Sequence, residues 1–85
     1  MKTKADVKRI LRAGRTAAEN KAYLPVNMVK DHPKEISLDR LISLLKEEVT
    51  ELENAVQSKS TKEAFDESGD VVYLASMIAY KLKGV

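Results

Sequence analysis

The chain has no cysteine. Disulfides, thiol nucleophiles and cysteine-based zinc sites are therefore excluded, and the absence suits a reducing compartment. It has one histidine, His32, in the stretch KDHPK. Di-iron bundle centres built on Glu-x-x-His are excluded with it. No apolar run approaches the roughly 20 residues of a membrane span. No apolar signal region follows the basic residues of MKTKADVKR. The expectation is a cytoplasmic protein with no membrane partner. Repeats, low-complexity tracts and strand-like alternation are also missing.

What is present is 85 residues of mixed charge, net +2. That length makes one small domain with a marginal core, so oligomerisation is an expected source of further burial. The charge is uneven. Residues 1–36 carry nine Lys/Arg and four Asp/Glu, a balance of +5, and residues 37–85 carry a balance of −3. The basic excess is modest for a dedicated nucleic-acid binder.

Periodicity predicts an all-α chain with three main helices. The first spans residues 4–22, with Val7, Ile10, Leu11, Ala17 and Ala18 near one face and Gly14 as a weak point. Residues 23–37 carry prolines at 25 and 33 and read as a connecting loop. Ser37 is a good N-cap for a second helix over 38–57. Ser60 followed by Glu63 is a capping-box pattern opening a third helix over 61–82, and Gly84 is a stop signal. The stretch VVYLASMIAYKL is apolar around most of its circumference, more than the other helices of so short a chain can cover. A second subunit is the expected cover, and a four-helix-type bundle completed by oligomerisation is the expected architecture.

Acidic residues recur three apart on two consecutive helices: Glu48 and Glu51 in EEVTE, Glu67 and Asp70 in ESGD. Three residues is close to one turn, so each pair shares a face and repels itself. With Leu38 set to zero and about 100° per residue, the apolar stripe of the second helix runs from about 300° to about 40°. On that scale Glu48 falls at about 280° and Glu51 at about 220°, beside Leu44 and Ala55, while Glu47 lies further out at about 180°. Glu48 and Glu51 are thus the expected inward pair. Glu67 and Asp70 lie on the arc of Val71, Leu74, Met77 and Ile78. Charge beside such surfaces is costly unless it is paired or bound to metal. Four oxygen ligands converging from two helices suit Mg²⁺ or Mn²⁺.

The pattern E-E-x-x-E followed by E-x-x-D, with fifteen residues between Glu51 and Glu67, resembles the signature of the MazG-type all-α nucleoside triphosphate pyrophosphohydrolases. LLKEEVTELENA and ESGDVVYLASMIA resemble that family's two motif helices, and the likeness covers about residues 36–82. The resemblance implies hydrolysis of (deoxy)nucleoside triphosphates to monophosphate and pyrophosphate, in nucleotide-pool house-cleaning. It implies Mg²⁺ held by Glu48, Glu51, Glu67 and Asp70, with Glu48 or Glu47 as the base. Glu47 takes a supporting place as a further ligand or a contact to metal-bound water. Arg12, Arg15 and Lys81 are the expected phosphate contacts, and Tyr73 an expected support for the base. Family members commonly form dimers or tetramers, and a chain ending soon after Asp70 would need a second copy to complete the bundle. There is no tryptophan, which some relatives place against the base.

Two other readings compete. Phosphoribosyl-ATP pyrophosphohydrolase of histidine biosynthesis has a related fold and acidic pattern. KEEVTE and ESGDVVYL fit its GEEATE-like and ELADLLYH-like stretches in part, without the final His. A non-catalytic helical module, binding DNA or a protein through the basic first helix, would leave the paired carboxylates unexplained.

Overall fold

The computed structural model describes residues 1–84. Among them the chain forms four α-helices and one 3-10 turn, with no strand: α1 (Lys4–Ala22), α2 (Pro25–Met28), the 3-10 turn (Pro33–Glu35), α3 (Leu38–Gln57) and α4 (Thr61–Lys83). The local signals for these boundaries are visible at the caps. The Thr3 hydroxyl accepts from the Asp6 amide while the Asp6 carboxylate accepts from the Thr3 amide, a reciprocal capping box. Ser37 Oγ accepts from the Arg40 amide, and Ser60 Oγ from the Glu63 amide. Gly84, at φ 80°, ends α4 in the left-handed conformation that glycine adopts without strain.

The segment 23–37 is not a plain loop, as the two prolines suggest. Each proline instead opens a short helical turn. Pro25 stands in the first turn of α2 and Pro33 in that of the 3-10 turn, positions where a missing N–H and a fixed φ fit. α4 also runs one residue past its expected end, to Lys83.

α4 is the central element. α3 packs along it as the antiparallel arm of a hairpin closed by residues 58–60, and α1 packs along its other flank. α1 and α3 do not pack on each other. Gly69 makes the α1 crossing possible: a Cβ there would lie 2.2 Å from the Ala17 carbonyl oxygen. The 3-10 turn is held on α4 by the His32 ring, edge-on to Tyr80 at 5.6 Å, and by Lys81, whose Nζ donates to the Pro33 carbonyl.

This open layer leaves a thin core. Its fully enclosed apolar side chains are Ala17, Leu41, Ala55 and Leu74. The α3 stripe is therefore only partly covered. α3 meets α4 along the side of Leu41, Glu48 and Ala55, while Leu38, Ile42, Val49 and Val56, on the flank of that contact, are exposed. The contact face is centred at about 280°, Glu48's own angle, rather than on the middle of the apolar stripe. On α1, Val7, Ile10 and Leu11 are exposed as well.

Candidate metal centre

The α3–α4 seam brings Glu48, Glu67 and Asp70 together. One carboxylate oxygen from each lies within 4.8 Å of the others. The i,i+3 spacing puts Glu67 and Asp70 on one face of α4, and Glu48 meets them from the centre of the α3 contact face. Oε2 of Glu48 and Oε2 of Glu67 are buried without a hydrogen-bond partner. Buried polar atoms are normally satisfied, so two orphaned oxygens in one cluster mark a place built for a ligand. Burial pushes the Glu48 carboxyl up to about 7, helped by the hydrogen bond its protonated form donates to Glu51 and by the charges of Asp70, Glu51 and Glu67. Burial likewise raises Glu67, with the charges of Glu51 and Asp70 adding to it and Lys21 opposing. An all-oxygen donor set held at this repulsion fits a hard divalent cation.

Glu51, expected as half of the inward pair, is exposed. It stands at the shoulder of the contact face, and its carboxyl still reaches Glu48 and Glu67 from the rim. Glu47 faces solvent.

The basic residues expected to meet phosphate stand elsewhere. Arg12 is exposed on α1. Arg15 is paired with Glu19 and lines the α1–α4 groove. Lys81 sits eleven residues beyond Asp70, about 16 Å along the helix axis, engaged with Pro33. Tyr73 does border the centre: with Glu48 and Asp70 it walls a cleft of about 140 Å³, together with Leu44, Leu74 and Met77.

Three residues at the centre escaped the sequence reading. Lys21, in the last turn of α1, places Nζ 3.5 Å from Asp70 Oδ2. Asn27 and Lys30, in the segment read as a loop, line the same cleft as Glu48 and Asp70. The Gly in ESGD was the available signal for Lys21, since it marks where another helix approaches α4.

Fold and site together define the class: an all-α protein carrying a carboxylate cluster suited to a divalent cation. The chain belongs to the phosphoribosyl-ATP pyrophosphohydrolase family, whose description it matches over residues 6–85. This family lies within the MazG-like all-α nucleoside triphosphate pyrophosphohydrolase superfamily, and the match falls on the member first weighed as the rival reading. Searches of curated proteins and of solved structures gave no match. The family makes the chain a hydrolase of phosphorus anhydrides, in a group that typically depends on divalent metal.

Proposed function

We propose that the chain cleaves a nucleoside triphosphate moiety to its monophosphate and pyrophosphate, with phosphoribosyl-ATP as the first substrate to test. A divalent cation, Mg²⁺ or Mn²⁺, is held by Glu48, Glu67 and Asp70, with Glu51 at the rim. The observation that carries this reading is the pair of buried, partnerless carboxylate oxygens in a chain of this family. Bound there, the ion supplies neutralisation of the phosphates and polarisation of the phosphoryl oxygens.

The chain's own residues do the rest. Glu48, at the centre of the seam, accepts the proton of the attacking water. Glu47, on the outer side of α3, is kept as a supporting carboxylate. Lys30 reaches the phosphates from the cleft wall. Tyr73, Leu74 and Met77 offer the base an apolar surface. No side chain forms a covalent intermediate. Arg12, Arg15 and Lys81 retain a phosphate-binding role only if a second subunit brings them to its neighbour's cleft.

Homo-oligomerisation, as a dimer or tetramer, belongs to the same reading. The chain exposes 6564 Å², against about 5,000 Å² for a compact monomer of its mass. The excess is about what each subunit of an obligate homodimer buries. A cytoplasmic location belongs to the same reading.

One observation favours a broader substrate range. Leu74 stands where the phosphoribosyl-ATP-type stretch ends in His, and it is buried on the cleft wall. An apolar side chain there removes a polar contact and favours ordinary (deoxy)nucleoside triphosphates. The test is pyrophosphate release from phosphoribosyl-ATP and from the eight common nucleotides, with Mg²⁺ and with EDTA. Metal-dependent release from phosphoribosyl-ATP alone selects the first substrate, and release from the common nucleotides selects the second. No release from any of them sinks the proposal.

A further inference from the structure

Lys21 is the one basic side chain, among the described residues, on the wall of the cleft that also holds Glu51, Glu63, Asp66 and Glu67. Its ammonium lies 3.5 Å from Asp70 Oδ2, and both side chains are about four-fifths covered, at 22% and 23% exposure. Its place is built by two other contacts. Gly69 lets α1 lie so close that an added Cβ would stand 3.1 Å from Lys21 Cγ and 2.2 Å from the Ala17 oxygen. Asn27 Nδ2 donates to the Lys21 carbonyl at 2.7 Å and fixes the end of α1. A glycine, an asparagine and a helix crossing thus deliver one amine to one ligand of the proposed centre.

An ammonium on Asp70 and a divalent cation among Glu48, Glu67 and Asp70 compete for the same oxygens. They also repel each other at short range, where screening is weak. We propose that Lys21 is a resident counter-cation: its ammonium holds Asp70 while the centre is metal-free, leaves it when a divalent ion binds, and then takes a phosphate oxygen of the nucleotide. The inference rests on the proposed metal-dependent reaction and adds a phosphate-binding residue to it. Metal alone must displace the amine without recompense, whereas metal with nucleotide gives it a new partner. Metal and nucleotide therefore strengthen each other's binding, and Lys21 carries that coupling.

The test is Mn²⁺ titration of the full chain, followed by the spin-resonance signal of free Mn²⁺, without nucleotide. Lys21→Met is expected to bind Mn²⁺ about tenfold tighter than the natural chain, because a nearby positive charge is gone. Lys21→Arg, which keeps the charge, is expected to resemble the natural chain. A merely structural lysine gives the opposite sign, since loosening α1 disturbs the ligands. Equal or weaker Mn²⁺ binding by folded Lys21→Met overturns the inference and leaves the metal centre standing. If the natural chain takes up no Mn²⁺, the metal centre falls and the inference with it. Should Lys21→Met lose its helix content, the natural chain still decides. The ε-methylene resonance of Lys21 must move as Mg²⁺ is added, and a resonance that stays put while the Asp70 signals shift overturns the inference.

Discussion

On the side of α3 that meets α4, a carboxylate, Glu48, occupies the centre of the contact and keeps an oxygen buried without a partner. On the flank about 100° further round the helix, Ile42, Val49 and Val56 are 39%, 47% and 58% exposed. A lone water-soluble chain is expected to do the reverse on both sides. The two departures have different physical meanings. A half-buried carboxylate cluster is repulsive on its own and calls for a cation. An exposed apolar stripe costs hydrophobic free energy and calls for another surface. Each side of the helix is thus incomplete in its own currency of interaction, charge on one and area on the other.

Substitutions that act on one side and spare the other separate the two. The largest effect is expected at the carboxylates. Glu48→Gln or Asp70→Asn should lower pyrophosphate release by at least about 100-fold, the usual scale for losing a group that works through a metal. Helix content by circular dichroism should stay unchanged. Near-normal turnover at saturating Mg²⁺ would remove either residue from the centre.

Neighbours in sequence sharpen the contrast next. Leu41 is fully buried and Ile42 faces outward. Leu41→Ala should cost about 3 kcal/mol in denaturant unfolding. Ile42→Asp should instead shift the sedimenting mass towards that of one chain. If Ile42→Asp leaves the mass unchanged, the outer stripe is not the subunit contact.

A smaller effect follows from proton linkage. Glu48 titrates at about 7 when folded against 4.5 ordinarily, so the folded chain holds this proton more tightly than the unfolded one. The stability this gives is complete below pH 4.5 and is lost as pH rises towards 7. In EDTA, raising the pH from 4.5 to 8 should remove about 3 kcal/mol and lower Tm by about 15 °C. Mg²⁺ should restore most of it at pH 8. In Glu48→Gln the pH dependence should flatten, and the metal-free variant should be more stable at pH 8 than the natural chain. A metal-free natural chain that gains stability with pH over this range would contradict the assignment of repulsion at Glu48.

The smallest effect serves as a control. Ser37→Ala removes the cap of α3 without touching either side and should cost about 1 kcal/mol with kcat/KM unchanged.

The helices and much of the carboxylate cluster were legible in the sequence because their signals are local. Caps at Ser37, Ser60 and Gly84 act over one turn, and helical angle alone brings Glu67 and Asp70 to one face. Glu51 shows the limit of the angular reading: the stripe predicts which residues are apolar, but the single neighbour α4 decides which of them are covered. Lys21 was illegible for a related reason. A lysine in the last turn of a helix is already explained by the helix dipole, and its nearness to Asp70 depends on α1 crossing at Gly69. Arg12 and Arg15 illustrate the converse, since a positive charge in the sequence carries no direction. The turn at Pro25 was hidden because proline both ends one helix and starts another.

The most direct measurement is anomalous diffraction at the manganese edge from crystals of the full chain grown with Mn²⁺. The account predicts a peak bounded by carboxylate oxygens of Glu48, Glu67 and Asp70, with Glu51 at its rim. Well-ordered carboxylates in the same cluster, with no anomalous peak between them, would contradict it.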